Sequence, residues 1–125
     1  MNIVAAQTMI SIVDDDECAR AAMEGLVRSL GYAVRTYTSA EDVLDSNHVD
    51  DMSCLLTDLH LPGLSGVELH RRLLANGFAL PTILVTGLAD ESPRAQVLAE
   101  GIVGFLSKPF SRKSLVDCLK TVRPR

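Results

Sequence analysis

The sequence has only three cysteines, no long apolar run and no excess of basic side chains. Cys18, Cys54 and Cys118 are far apart, odd in number and form no CxxC pair, which predicts no disulfide framework and favours a reducing cytoplasm. No apolar run approaches the roughly 18 residues of a membrane-spanning helix. Met1–Met9 lacks the basic start and long apolar centre of a signal peptide. We therefore expect a cytoplasmic protein without membrane contact.

The net charge of −4 is unevenly spread along the chain. Residues 1–58 carry 11 acidic side chains and three arginines, whereas residues 59–125 carry five acidic and nine basic side chains. An acidic half is not typical of a nucleic-acid surface, so we expect no direct nucleic-acid binding. Two explanations of the acidic half stay open, namely ordinary solvated charge and an acidic site.

Short apolar runs alternate with segments of helical periodicity, and the 125 residues suffice for one domain. The predicted strands are 9–13, 33–37, 53–57, 82–85 and 103–106, and the predicted helices are 17–30, 39–46, 65–74, 90–100 and a last one capped by Ser111. Five strand–helix units predict an α/β fold in which helices cover both faces of a parallel sheet.

Polar side chains follow the predicted strands at the points where they end. Asp14 and Asp15 come directly after the first strand, and Asp58 ends the third. Thr86 ends the fourth strand, and Lys108 follows the fifth. Ligands of open α/β sheets bind beyond the carboxyl ends of the strands. Crowded carboxylates without His or Cys neighbours suit Mg²⁺, and a carboxylate beside Mg²⁺ can attack phosphorus while cationic and hydroxyl groups contact the phosphoryl oxygens.

Each of these residues also has a simpler explanation when it is considered alone. The acidic run 14–17 could have no role beyond a favourable interaction with the dipole of the following helix. Asp58 could be a turn or cap residue. Thr86 could be an ordinary strand residue, and Lys108 could lie in a surface turn. All these explanations together require that the polar residues reach one sheet edge by chance, so we favour a site.

Four motifs carry a resemblance to a known family. They are Val13–Glu17 (VDDDE), Thr57–Gly66 (TDLHLPGLSG), Val85–Gly87 (VTG) and Gly104–Phe110 (GFLSKPF). Together and in this order they resemble the response-regulator receiver family over about residues 9–122. The resemblance implies one receiver domain over residues 1–125 with a flavodoxin-like (βα)5 fold, a three-layer sandwich with strand order 2-1-3-4-5. The residues of these motifs most resemble those of FixJ-type receivers, which usually precede a DNA-binding helix-turn-helix domain.

The resemblance also implies the roles of the acidic residues. Asp58 would be the phosphoacceptor, and a sensor histidine kinase would supply the phosphoryl group. Asp15 and Asp58 would bind Mg²⁺ directly, together with the backbone carbonyl of His60. Asp14 would act through a metal-bound water. The protein would thus modify itself rather than turn over a free substrate as an enzyme does.

The remaining roles belong to a switch. Lys108 would contact the phosphoryl group and would be joined to Pro109 by a cis bond. Thr86 would move to the phosphoryl group, and Phe105 would then turn inward. The face formed by the fourth helix, the fifth strand and the fifth helix would respond, and would act on an output domain or form a homodimer when phosphorylated.

Two other functions share some of these residues. A phosphatase of the haloacid dehalogenase class also uses an aspartyl phosphate, but it normally has a second Asp two positions after the first, where this chain has His60. A pseudo-receiver that only binds other proteins would be expected to lack part of the acidic set, of which this chain lacks none.

Overall fold

The computed structural model describes residues 8–87, 102–108, 111–120 and 122. Five strands in these residues form one parallel sheet in the order β2-β1-β3-β4-β5. The strands are β1 (Met9–Val13), β2 (Ala33–Tyr37), β3 (Cys54–Asp58), β4 (Thr82–Thr86) and β5 (Ile102–Ser107). Each strand lies within one residue of its predicted bounds. The strand order confirms the flavodoxin-like fold.

The described residues also form four α-helices and one short 3₁₀ helix. They are α1 (Glu17–Ser29), α2 (Ala40–Asp45), the 3₁₀ helix Val49–Asp51, α3 (Gly66–Ala75) and α4 (Arg112–Leu119). Ser39, Ser65 and Ser111 accept backbone N–H groups at the starts of α2, α3 and α4, as serine caps do. The sequence did not predict the 3₁₀ helix. The predicted helix at 90–100 and the predicted cis bond to Pro109 lie outside the described residues, so α4 corresponds to the predicted fifth helix.

Alternate strand residues point to opposite sides of the sheet, and helices cover both sides. Both faces of the sheet are therefore buried. The face under α1 and α4 packs Ile10, Ile12, Leu56, Val85 and Leu106 against Met23, Val27, Leu115 and Leu119. The face under α2 and α3 packs Val13 and Leu55 against Ala40, Val43, Leu69 and Leu73. No helix among the described residues is long and apolar enough to cross a membrane.

The parallel register brings the ends of the strands to one edge of the sheet. Val13 pairs with Thr57, so the residues that follow β1 lie beside the end of β3. Asp58 pairs with Val85, and Thr86 pairs with Ser107. The polar residues that the sequence scatters over almost a hundred positions are therefore neighbours at this edge.

Candidate functional site

Three carboxylates form a cluster at this edge. Asp14, Asp15 and Asp58 each offer one oxygen, and these three atoms lie within 4.8 Å of one another. Asp14 is fully buried, the Asp58 side chain is 13% exposed, and Asp15 is exposed. Carboxylates at such distances repel one another unless a cation lies among them. A set of hard oxygen donors that opens to solvent through Asp15 fits Mg²⁺, which retains several waters.

Backbone and side-chain hydrogen bonds hold the first of these carboxylates in place. The Asp14 N–H donates to the Tyr37 carbonyl of β2 at 3.2 Å, and Asp14 Oδ1 accepts from the Asp16 N–H at 2.9 Å. Arg20, from the second turn of α1, donates through Nη1 to the Asp14 carbonyl at 3.0 Å. These bonds leave Asp14 Oδ2 to face the end of β5.

Lys108 supplies the cation of the described site. Its Nζ lies 3.1 Å from Asp58 Oδ2 and 3.5 Å from Asp14 Oδ2. Burial pulls the pKa of Lys108 down, but its hydrogen bonds and charge interactions with Asp58 and Asp14 outweigh burial and raise the pKa above its usual value. The Lys108 N–H donates to the Thr86 carbonyl at 2.8 Å, so the end of β4 sets the position of the lysine. Lys108 is therefore charged at neutral pH.

Two backbone N–H groups anchor the chain directly after Asp58. Asp58 Oδ1 accepts from the His60 N–H at 3.1 Å, and the Leu59 N–H donates to the Val85 carbonyl at 2.8 Å. A Cβ at Gly66, the first residue of α3, would lie only 2.5 Å from the Asp58 carbonyl oxygen. Any other residue there would push the helix away from the backbone of Asp58.

Thr86 and Phe105 lie on neighbouring strands. Thr86 is fully buried, and its Oγ1 has no hydrogen-bond partner among the described residues. Phe105 pairs with Leu84, is half-buried and packs against a small cluster under α3. A buried hydroxyl without a partner costs about 1–3 kcal/mol, so an acceptor placed near Thr86 Oγ1 would be bound favourably.

Comparison with known protein families identifies the family of this chain. A family model described as the response regulator receiver domain matches residues 10–120. The chain belongs to the response regulator receiver family. Receiver domains of this family occur in two-component response regulators, which are regulatory proteins rather than conventional enzymes.

Two curated relatives and one solved structure show the extent of the similarity. Nodulation protein W of Bradyrhizobium diazoefficiens is 34% identical over 121 residues, which cover 97% of this receiver domain and 53% of the relative. The transcriptional regulatory protein FixJ of Azorhizobium caulinodans is 33% identical to this chain, and the match covers 53% of the length of FixJ. The crystal structure of FixJ-N is 32% identical with a TM-score of 0.81, and 90% of each chain is covered. The chain thus spans about half the length of these curated relatives.

The structure brings most of the expected site residues of the receiver domain together. Asp14, Asp58 and Lys108 are in direct contact, and Asp15 completes the acidic cluster. Their assigned chemical roles stay predictions, as does the His60 carbonyl as a metal ligand. Sequence reasoning missed two groups of contacts, those of Arg20 with Asp14 and those of Glu41 with the loop after Asp58. The partner of Glu41 is set by the tertiary fold, because 23 positions separate it from Leu64, whereas Arg20 reaches back six positions across the turn that begins α1.

Proposed function

We propose that Asp58 accepts a phosphoryl group from a sensor histidine kinase. The observation that carries the proposal is the 3.1 Å contact between Asp58 Oδ2 and Lys108 Nζ inside the acidic cluster. A carboxylate oxygen of Asp58 forms a bond to phosphorus while the bond between phosphorus and the kinase histidine breaks. The electron pair of that bond returns to the imidazole nitrogen. The receiver domain modifies itself and does not turn over a free substrate.

The same proposal assigns the groups around the acceptor. Asp15, Asp58 and the backbone carbonyl of His60 would hold Mg²⁺, and Asp14 would act through a water. When bound, Mg²⁺ supplies positive charge that offsets the charge on the phosphoryl oxygens. Lys108 donates a hydrogen bond to one of these oxygens and separates the remaining carboxylate charges.

The switch would follow from the hydroxyl of Thr86. Its Oγ1–H has no partner among the described residues and is proposed to donate to a phosphoryl oxygen on Asp58. Movement of Thr86 would open space for Phe105 to turn inward, which changes the outer face of β5 and its neighbouring helices. Phosphorylation would thereby bias two arrangements of one surface.

The test of the acceptor is intact mass after incubation with acetyl phosphate and Mg²⁺. We expect a gain of one phosphoryl group in the wild type and no gain in Asp58→Asn. Asp50→Asn is the control, because this exposed acid in the 3₁₀ helix is not part of the acidic cluster. A phosphoryl group that is still gained by Asp58→Asn would overturn the proposal.

The kinase is proposed to approach along α1. Cys18, Ala22 and Gly25 are exposed on this helix, whose first residues follow the acidic turn. Small side chains would let a kinase helix approach closely. Ala22→Arg should slow transfer from the cognate kinase and leave labelling by acetyl phosphate unchanged. Equal slowing of both reactions would contradict docking at this helix.

The receiver domain, with its core at about 9–122, is proposed to act inside a longer cytoplasmic regulator. The chain covers about half of FixJ, whose name describes a transcriptional regulatory protein, and a C-terminal DNA-binding domain would supply the output. All three cysteines are free thiols, which a reducing cytoplasm maintains.

A phosphorylation-dependent homodimer is proposed on the β5–α4 side. The exposed side chains Arg112, Lys113, Asp117 and Lys120 of this side mix both signs of charge, which suits a self-complementary two-fold contact. Sedimentation at high concentration should show a larger mass only with the phosphorylated protein. An unchanged mass would exclude this dimer.

A further inference from the structure

The loop between β3 and α3, residues 59–65, is here called the acceptor loop. Its start is anchored by the Leu59 N–H, and its end by Ser65, the N-cap of α3. Near its end the Leu64 N–H donates to Glu41 Oε2 at 3.2 Å, across 23 sequence positions. Glu41 lies in the first turn of α2, so a separate helix holds the acceptor loop.

A glycine in the acceptor loop lies beside this contact. Gly63 has a φ of +77°, a left-handed conformation that favours glycine. A Cβ at Gly63 would also lie 2.5 Å from Glu41 Oε2. The carboxylate therefore lies directly against the backbone of the loop, where a larger residue would displace it.

Apolar contacts place α2 and the acceptor loop in one cluster. Leu61 is 8% exposed and belongs to the same buried cluster as Ala40 and Val43 of α2. Leu64 is partly buried against this cluster. Both a hydrogen bond from Glu41 and apolar contacts of Leu61 and Leu64 therefore join α2 to the acceptor loop. These two kinds of contact limit the conformations of the segment that contains His60.

We propose that Glu41 is a positioning residue for the metal site at Asp58. This inference rests on the proposed function, in which the His60 carbonyl is a ligand of Mg²⁺. His60 is held on one side by Asp58 Oδ1, and Glu41 holds the chain four residues further on. Without Glu41, binding of Mg²⁺ must also order the acceptor loop, which lowers the affinity for the metal. Glu41 itself does not contact the metal or the phosphoryl group.

The test is the dissociation constant for Mg²⁺, obtained from the rise of Tm with Mg²⁺ concentration. Residues that orient metal ligands typically change affinity by 10–100-fold, and Glu41 acts through a longer path, so Glu41→Ala should weaken binding by about threefold to tenfold. Glu41→Gln keeps an acceptor oxygen without the charge and should stay within about twofold of the wild type.

Asp42→Ala is the matched control. It removes the same charge from the same turn of α2, but the Asp42 carboxylate accepts from the Thr38 hydroxyl at 2.6 Å instead of from the acceptor loop. We expect Asp42→Ala to leave the affinity for Mg²⁺ near the wild-type value. The rate of labelling by acetyl phosphate should be lowered in Glu41→Ala at limiting Mg²⁺ and should return to the wild-type rate at saturating Mg²⁺.

A double-variant cycle tests the contact separately from the metal. Gly63→Ala should lower Tm, both because of its positive φ and because its Cβ would displace Glu41. In the Glu41→Ala background only the conformational strain is left, so the same substitution should lower Tm by a smaller amount. Equal losses in the two backgrounds would show that the contact is absent and would overturn the inference.

The outcomes of the metal titration separate the inference from the proposed function. A wild type that shows neither Mg²⁺ stabilisation nor labelling of Asp58 would overturn both. A normal wild type with an unchanged Mg²⁺ affinity in Glu41→Ala would overturn only the positioning role. If Glu41→Gln, Glu41→Ala and Asp42→Ala all weaken Mg²⁺ binding equally, the effect is due to the lost charge. That result would also overturn the positioning role of Glu41.

Discussion

Three polar groups at this edge of the sheet are largely or fully buried but differ in their hydrogen bonding. They are the carboxylates of Asp14 and Asp58 and the hydroxyl of Thr86. Asp14 and Asp58 each accept a backbone N–H and each contact Lys108. Thr86 is fully buried, and its hydroxyl has no partner among the described residues. We call these the acidic half and the β4 half of the site.

This difference indicates where a phosphoryl group would change the receiver domain. The acidic half already has its hydrogen bonds and a cation, so a new group on Asp58 would largely replace existing contacts. The β4 half has a donor to satisfy, and a buried hydroxyl without a partner costs about 1–3 kcal/mol. A new acceptor would therefore shift the β4 half more than the acidic half.

The largest effect is expected for Lys108→Met, which removes the cation of the acidic half. Loss of one donor to developing charge typically slows a reaction by about 100-fold or more, so labelling of Asp58 by acetyl phosphate should fall by about 100-fold. Initial rates from intact mass measure the change. Lys113→Met is the control, since Lys113 is exposed on α4. A rate within threefold of the wild type would contradict the role of Lys108.

The same substitution has a defined pH dependence. Because the pKa of Lys108 is raised in the folded state, its stabilising contribution is fully present below its usual value of 10.5. The contribution is lost as the pH rises through the higher folded value. The difference in Tm between wild type and Lys108→Met should therefore be constant from neutral pH to about pH 10 and should shrink above it.

Gly66→Ala should have the next largest effect, on stability. Its Cβ would lie 2.5 Å from the Asp58 carbonyl oxygen, and overpacking of this kind typically costs about 1–3 kcal/mol. Gly25→Ala is the matched control in α1, where a Cβ would meet no atom within 4 Å. It should stabilise the protein by about 0.5–1 kcal/mol through helix propensity. Urea unfolding measures both, and equal effects would show that α3 does not press on Asp58.

Substitutions of two buried threonines, one in each half, compare the acidic half with the β4 half directly. Thr57 donates to the Asp58 carbonyl at 3.1 Å, whereas Thr86 has no partner among the described residues. Thr57→Val should destabilise the unphosphorylated protein by about 1 kcal/mol, because the carbonyl loses a donor. Thr86→Val should be neutral or stabilising by up to about 1 kcal/mol. If both substitutions destabilise equally, the contrast between the halves is wrong.

The smallest effect is expected at the start of α3, behind Asp58. The Ser65 N–H donates to Glu68 Oε1 at 3.0 Å, and this backbone hydrogen bond, with that of the Ser65 side chain, lowers the pKa of Glu68 below its usual 4.5. The stabilisation is present above that value and is lost as pH falls through the lower folded pKa. Glu68→Gln should therefore lower Tm slightly at pH 6, and this difference should shrink as the pH falls below 4.5. A pH-independent difference would exclude the carboxylate as its source.

The positions of the strands and the shared edge of the polar residues could be predicted from the sequence. Apolar runs and serine caps are local signals, so β1 and β2 have the bounds that were predicted for them. The order of Asp14, Asp58, Thr86 and Lys108 along the chain was sufficient to predict one shared edge, because parallel strands all end on the same side. The 3₁₀ helix at Val49–Asp51 has no side-chain cap and was not predicted.

The contacts between charged and hydrogen-bonding groups of separate elements depend on how the sheet and its helices pack. The lysine contacts two carboxylates from strands far apart in the chain, Glu41 contacts the acceptor loop across 23 positions, and Gly66 is required by the carbonyl of Asp58. The sequence likewise does not show that the Thr86 hydroxyl has no hydrogen-bond partner within residues 8–87, 102–108, 111–120 and 122. Such contacts depend on distances of a few ångströms between separate elements. Local patterns carry no information about those distances until the sheet and its helices have packed.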